Sequence, residues 1–191
     1  PPIPEHGIEL LSKDFTGESA EEKIGRVCDK LTEKDCDHLF VSALDSICWL
    51  LNIRGSDIMY NPVVISYAMV DAAKKSARLY VPEAKLSVKV RSDLECCAEI
   101  KTYESIESDL GKLAGEGAKV WLDPKRASRW AAELLSGAKV HKAGSPIVDM
   151  KAVKNNTEIE GMKNALVRDG AAMVKFLHWL KESVAKEEIT E

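Results

Sequence analysis

The chain runs to 191 residues, 45% hydrophobic and 30% charged, with a net charge of −4; that is long enough for one good core and ordinary for a soluble globular protein. Its uncharged apolar runs are too short to span a bilayer, the opening PPIPEHGIELL lacks a basic leader followed by an apolar block, and no basic stripe with interleaved aromatics points to nucleic acid. The five cysteines, Cys28, Cys36, Cys48, Cys96 and Cys97, follow no repeating interval and read as reduced, mostly buried residues of a cytoplasmic protein. A zinc site is not indicated: Cys28 and Cys36 stand too far apart for a local pair, and adjacent Cys96 and Cys97 in a strand or helix would point different ways.

Taken in order, residues 1–17 show no sustained period and carry three prolines and two glycines, which predicts an extended connector from a missing upstream domain. Ser19 followed by Glu22 makes a capping box, and Ile24, Val27, Cys28 and Leu31 place one apolar stripe on the helix that follows. The densest apolar stretch comes next. Leu39–Leu44 reads as a strand; Asp45 is the expected N-cap of a short helix carrying Ile47, Leu50 and Leu51, which Gly55 ends. The segment from Arg54 to Pro62 is rich in turn-forming residues, and Pro62 pushes Asn61 toward an extended conformation.

Val63–Val70 and Ala77–Val81 flank the polar turn 71–76 and read as strands. Their link is too short for a parallel crossover, so the pair must be antiparallel. Pro82 is expected to open a helix with Leu86, Val90 and Leu94 on its buried side. Ala98–Tyr103 reads as a strand, Ile106, Leu110 and Leu113 as a helix closed by Gly115 and Gly117, and Lys119–Asp123 as a further strand. Pro124 is expected to begin a helix bearing Trp130, Ala131, Leu134 and Leu135 up to Gly137, before a last strand at Lys139–His141. This alternation predicts an α/β fold, a three-layer domain with a mixed sheet covered on both faces. From Ser145 the character changes. Thr157 with Glu160 reads as a capping box for a long helix reaching about Lys186, with Met162, Leu166, Met173, Val174, Leu177 and Leu180 on an apolar side widened by Phe176 and Trp179.

Three segments, ALDSICWLLNIRGSDIMYNPVVISYAMV, VWLDPKRASRWAAELL and SPIVDMKAVKNNTEIEGMKNALVRDGAAMVKFLHWLKE, stand in an order that resembles the cytosolic aminopeptidase P family of the creatinase, prolidase and methionine aminopeptidase superfamily. The resemblance implies a creatinase N-terminal-like, ribonuclease H-like middle domain over residues 18–147. It implies the first helix of a truncated "pita-bread" catalytic domain over residues 148–191. It also implies a cytoplasmic, homodimeric parent that removes the first residue from peptides with proline second, using two divalent metals, typically manganese. The parent's own N-terminal and catalytic domains would be this chain's partners, and the peptide substrate would bind only to the full-length protein. Two other readings follow from the same superfamily: a metal-free member that binds proteins such as histones, or a prolidase- or creatinase-type sister enzyme.

The family's ligands are two aspartates, a histidine and two glutamates downstream of the opening helix, so no catalytic or metal residue is assigned to this chain. His6, His38, His141 and His178 are scattered, no serine sits in a GxSxG elbow, and GEGAK at 115–119 lacks the Walker spacing. The stretch 52–61 is the best candidate for a specific role. Asn52, Arg54, Asp57 and Asn61 read either as the local hydrogen bonds of a structural turn or as contacts to another domain and to the wall of its cleft.

Overall fold

The computed structural model describes residues 2–184, 186 and 189. The elements of the first half are β1 (Glu9–Leu10), α1 (Lys13–Thr16), α2 (Ala20–Glu33), β2 (His38–Val41), α3 (Leu44–Leu50), β3 (Ile53–Arg54), β4 (Tyr67–Asp71) and β5 (Ser76–Tyr80). A 3-10 turn at Glu83–Lys85 leads to α4 (Val88–Leu94), β6 (Ala98–Lys101), α5 (Ser105–Gly115), β7 (Lys119–Leu122), α6 (Arg129–Leu134), β8 (Lys139–Lys142), α7 (Pro146–Ala152) and α8 (Asn156–Ser183). Six strands form one sheet in the order β6-β5-β4-β2-β7-β8. β4 runs antiparallel to β2 and β5, while the outer pairings are parallel, so the sheet is mixed as the short 71–76 link requires.

Successive side chains of a strand point to opposite faces, and this period of two divides the core. On one face, Leu39, Val41, Ala68, Val70, Ala77, Leu79 and Trp121 pack with the apolar stripes of α2, α3, α4 and α7. The intervening residues Phe40, Met69, Tyr80, Val120 and Leu122 turn to the other face and meet Ile106, Leu110 and Leu113 of α5 and Ala131 of α6. Helices therefore cover both sides of the sheet, which makes the three-layer α/β fold. The capping box expected at Ser19 is present: the Ser19 hydroxyl accepts the Glu22 N–H at 3.2 Å, and the Glu22 carboxylate accepts the Ser19 N–H at 2.7 Å.

Several boundaries differ from the sequence reading, each for a local reason. β2 stops at Val41 and Leu44 already belongs to α3, whose N-cap is Ala43 with no side-chain cap. Asp45 lies one residue inside that helix and pairs instead with Lys151. Pro82 opens only the 3-10 turn, and α4 starts afresh after Ser87, whose hydroxyl accepts the Val90 N–H at 3.2 Å. Pro124 sits in a turn held by the Asp123 carboxylate, which accepts the Lys125 N–H at 2.9 Å; α6 begins after Ser128. Val63–Ser66 stays outside the ladder, so the strand begins at Tyr67.

The chain divides into two compact units, Pro1–Val153 and Lys154–Glu191. Within the first, Glu9–Leu10 pairs antiparallel with Ile53–Arg54, and Ile8 is buried, so the opening segment is extended but also knitted to the unit. The helical turns at 146–152 bury Ile147 in that unit's core; the change of character falls later than Ser145. The second unit is carried by α8. Its capping box is Asn155 with Glu158 rather than Thr157 with Glu160: the Asn155 carboxamide accepts the Glu158 N–H at 2.9 Å, and the Glu158 carboxylate accepts the Asn155 N–H at 3.0 Å. Asparagine caps at least as well as threonine, so the helix starts two residues sooner. Met162, Leu166, Met173, Val174, Leu177 and Trp179 of α8 are exposed.

Candidate functional site

The stretch 52–61 starts where α3 ends. Asn52 takes a left-handed backbone, φ 54°, which asparagine tolerates better than most residues, and that reversal stops the helix before Gly55 and sends Ile53–Arg54 into β3. The Asn52 side chain is buried and hydrogen-bonded through both its nitrogen and its oxygen. Its carboxamide donates to the Glu18 carbonyl at 2.8 Å and accepts from Lys23 Nζ at 2.6 Å. Lys23, itself buried, also donates to the Trp49 carbonyl at 2.9 Å and stands 4.4 Å from the centre of the Trp49 ring. A lysine at that helix position gave no signal in the sequence, where lysines on helices normally face water.

Asp57 is the second anchor. Its side chain is 1% exposed and forms an ion pair with Lys85, whose own side chain is 0% exposed. The same carboxylate accepts the Ile65 N–H at 2.6 Å, so a buried charge is both neutralised and hydrogen-bonded. Its other oxygen, Oδ1, has no hydrogen-bond partner and lies 3.9 Å from His6 Nδ1. Gly55 makes the fold-back possible: a Cβ there would stand 2.8 Å from Val64 Cγ2 and 3.1 Å from the Val63 carbonyl. Underneath, Cys48 Sγ accepts the Val64 N–H at 3.4 Å, and burial pushes its thiol pKa up despite that bond.

Arg54 is half-buried and donates to the Ile53 and Cys48 carbonyls at 2.8 and 3.4 Å. Asn61 is exposed; its N–H donates to the Ile58 carbonyl at 3.0 Å and closes a turn. Of the four residues singled out from the sequence, Asn52 and Asp57 therefore face inward as a frame, Arg54 lies against backbone and Asn61 shapes the tip. What the frame presents outward was missed. Ile58, Met59 and Tyr60 are 42%, 78% and 99% exposed, with Tyr60 at φ 62°, and three apolar residues inside a turn-rich segment were the legible signal.

Among the described residues no group of three or more His, Cys, Asp or Glu side chains is placed to hold a metal ion. Those residues do not fit a dinuclear centre. Among the same residues, no helix is long and apolar enough to cross a membrane.

Residues 1–158 match the family model for the creatinase/prolidase N-terminal domain. The chain belongs to that family. Within and beyond this creatinase/prolidase N-terminal domain, the chain is similar to Xaa-Pro aminopeptidase 1 of Dictyostelium discoideum, 39% identical over 187 residues, covering 98% of this chain and 29% of that protein. It thus spans under a third of that relative's length. The X-prolyl aminopeptidase of Caenorhabditis elegans, described as a cytosolic enzyme with a di-nuclear active site, superposes with a TM-score of 0.90 at 29% identity, over 98% of this chain and 31% of that one. The Xaa-Pro dipeptidase of Bacillus anthracis superposes with a TM-score of 0.60 at 16% identity, over 85% of this chain and 43% of that one, a likeness of fold alone.

Proposed function

We propose that this chain is a non-catalytic part of a dinuclear-metal Xaa-Pro aminopeptidase, the middle domain and the first helix of the catalytic domain. The observation that carries the reading is the 39% identity to Xaa-Pro aminopeptidase 1 over 98% of the chain. In the parent, two divalent metals, manganese by family resemblance, would supply Lewis-acid chemistry for amide hydrolysis from residues outside this chain. The substrate class is a peptide with proline second, whose tertiary amide lacks the N–H that general aminopeptidases engage.

On this reading, residues 1–17 arrive from an upstream domain, the three-layer unit acts as spacer and wall beside the cleft, and α8 lays its apolar side on the catalytic domain. The frame of Asn52 and Asp57 holds the 52–61 stretch in one shape, and Arg54 and Asn61 flank the face turned to another domain. The parent is a cytoplasmic homodimer whose partners are its own remaining domains and the peptide. The 191-residue chain alone, supplied with manganese, is expected to release no amino acid from an Xaa-Pro peptide. Turnover by the pure chain, abolished by a chelator, would overturn the assignment of the chemistry to other parts of the parent.

A further inference from the structure

The segment that enters the first unit does more than run beside it. β3 belongs to a sheet of two strands whose other member is β1: Glu9 faces Arg54 and Leu10 faces Ile53. The Leu11 N–H extends this contact by donating to the Asn52 carbonyl at 2.8 Å. Further back, the Ile8 N–H donates to the Lys85 carbonyl at 2.9 Å, and the Ile8 side chain is buried in the core. His6 Nδ1 stands 3.9 Å from Asp57 Oδ1, the buried oxygen with no hydrogen-bond partner among the described residues. Residues 6–11 therefore lie along the start of the 52–61 stretch and against both members of the ion pair that anchors its middle.

The tip depends on such support. Tyr60 holds a left-handed backbone, φ 62°, and an aromatic residue keeps that conformation where its surroundings impose it. The bonds inside the stretch are short-range: the Asn61 N–H donates to the Ile58 carbonyl at 3.0 Å, and the Val63 N–H to the Asn61 carbonyl at 2.8 Å. Its ordering as a whole rests on β1, on the Asp57–Lys85 pair and on the Ile65 N–H that the Asp57 carboxylate accepts. The entering segment supplies the first and touches the second.

We propose that residues 6–11 are a strap through which the position of the entering segment sets the shape of the exposed 58–60 tip. Displacing the strap takes the partner strand from β3, opens the Ile8 site in the core and loosens the cover over the buried ion pair. The left-handed tip then loses the frame that imposes it, and Met59 and Tyr60 are presented differently. This holds whatever the parent's chemistry, and it runs in both directions, because a coupling free energy is reciprocal.

Amide hydrogen exchange, read residue by residue by NMR on the 191-residue chain, tests the strap. Ile8→Ala weakens it through lost packing and Leu11→Pro through a lost donor. His6→Ala changes an exposed side chain and keeps the experiment decisive should either of the others fail to fold. Expected for Ile8→Ala and Leu11→Pro is exchange faster by on the order of 10-fold at Asn61, Val63 and Ile65, with the amides of β2 and β7 unchanged; His6→Ala should give a smaller rise at the same three amides. In the reverse direction, Gly55→Ala, whose Cβ would stand 2.8 Å from Val64 Cγ2, is expected to speed exchange at Ile8 and Leu11. Faster exchange confined to the strap's own amides, no change at 61–65 in any strap variant, or an equal rise across β2 and β7, which would mark a loss of stability throughout the unit, overturns the proposal.

Discussion

Lys85 and Asp57 are sealed from water together, and at such a site the cost of losing one partner exceeds the worth of the pair, because the survivor is left charged and dry. Lys85→Met is expected to lower unfolding free energy by about 3–5 kcal/mol. Adding Asp57→Leu should cost less than the two single changes summed, since the second removes the stranded charge; strict additivity in urea titrations would sink this account. His38 behaves differently. Burial holds its pKa below the ordinary 6.5, against the pull of Asp71, whose carboxylate is 3.9 Å from Nδ1. The unfolded chain therefore binds this proton first as pH falls. The contribution is full above the unfolded value and is lost as pH drops through the folded one. Stability measured at about pH 7.5 and about pH 5.5 should fall less in His38→Gln than in the parent chain; an unchanged difference would exclude His38 as a source.

Helix starts carry the next set of consequences. Asn155 and Glu158 satisfy each other's backbone N–H groups at the first turn of α8. Asn155→Ala is expected to remove about 1 kcal/mol and measurable helicity, while Thr157→Ala, already inside the helix, should change little. The reverse order by circular dichroism would return the cap to Thr157. The same logic places Ser19→Ala at a loss of about 1 kcal/mol for α2, because the hydroxyl's acceptor role has no substitute there. Capping signals lie in sequence at three-residue spacing, so overlapping candidates two residues apart compete, and the chain takes the one whose backbone enters the helix first.

Across the whole molecule, the first unit closes its own core on both faces of the sheet, whereas α8 leaves a broad apolar side exposed. Apolar faces of that size drive association. A chain ending at Lys154 is expected to keep the urea midpoint of the first unit and to lose any concentration-dependent mass seen by light scattering for the longer chain. A shifted midpoint would mean that the first unit draws stability from the second.

The alternation of strands and helices, the antiparallel 67–80 hairpin and the α2 cap were legible in the sequence because they rest on periods of two and 3.6 and on neighbours within a few residues. Family membership was legible for another reason, the order of whole segments. Position 52 shows the limit: its neighbours predict a helix running to Gly55, and only a lysine on the preceding helix and a carbonyl at Glu18 favour the left-handed turn. Likewise nothing local tells Lys85 from a solvated lysine, or reveals that residues 9–11 bond to 52–54. Those outcomes depend on which distant groups are sealed together away from water, a matter that tertiary packing alone decides.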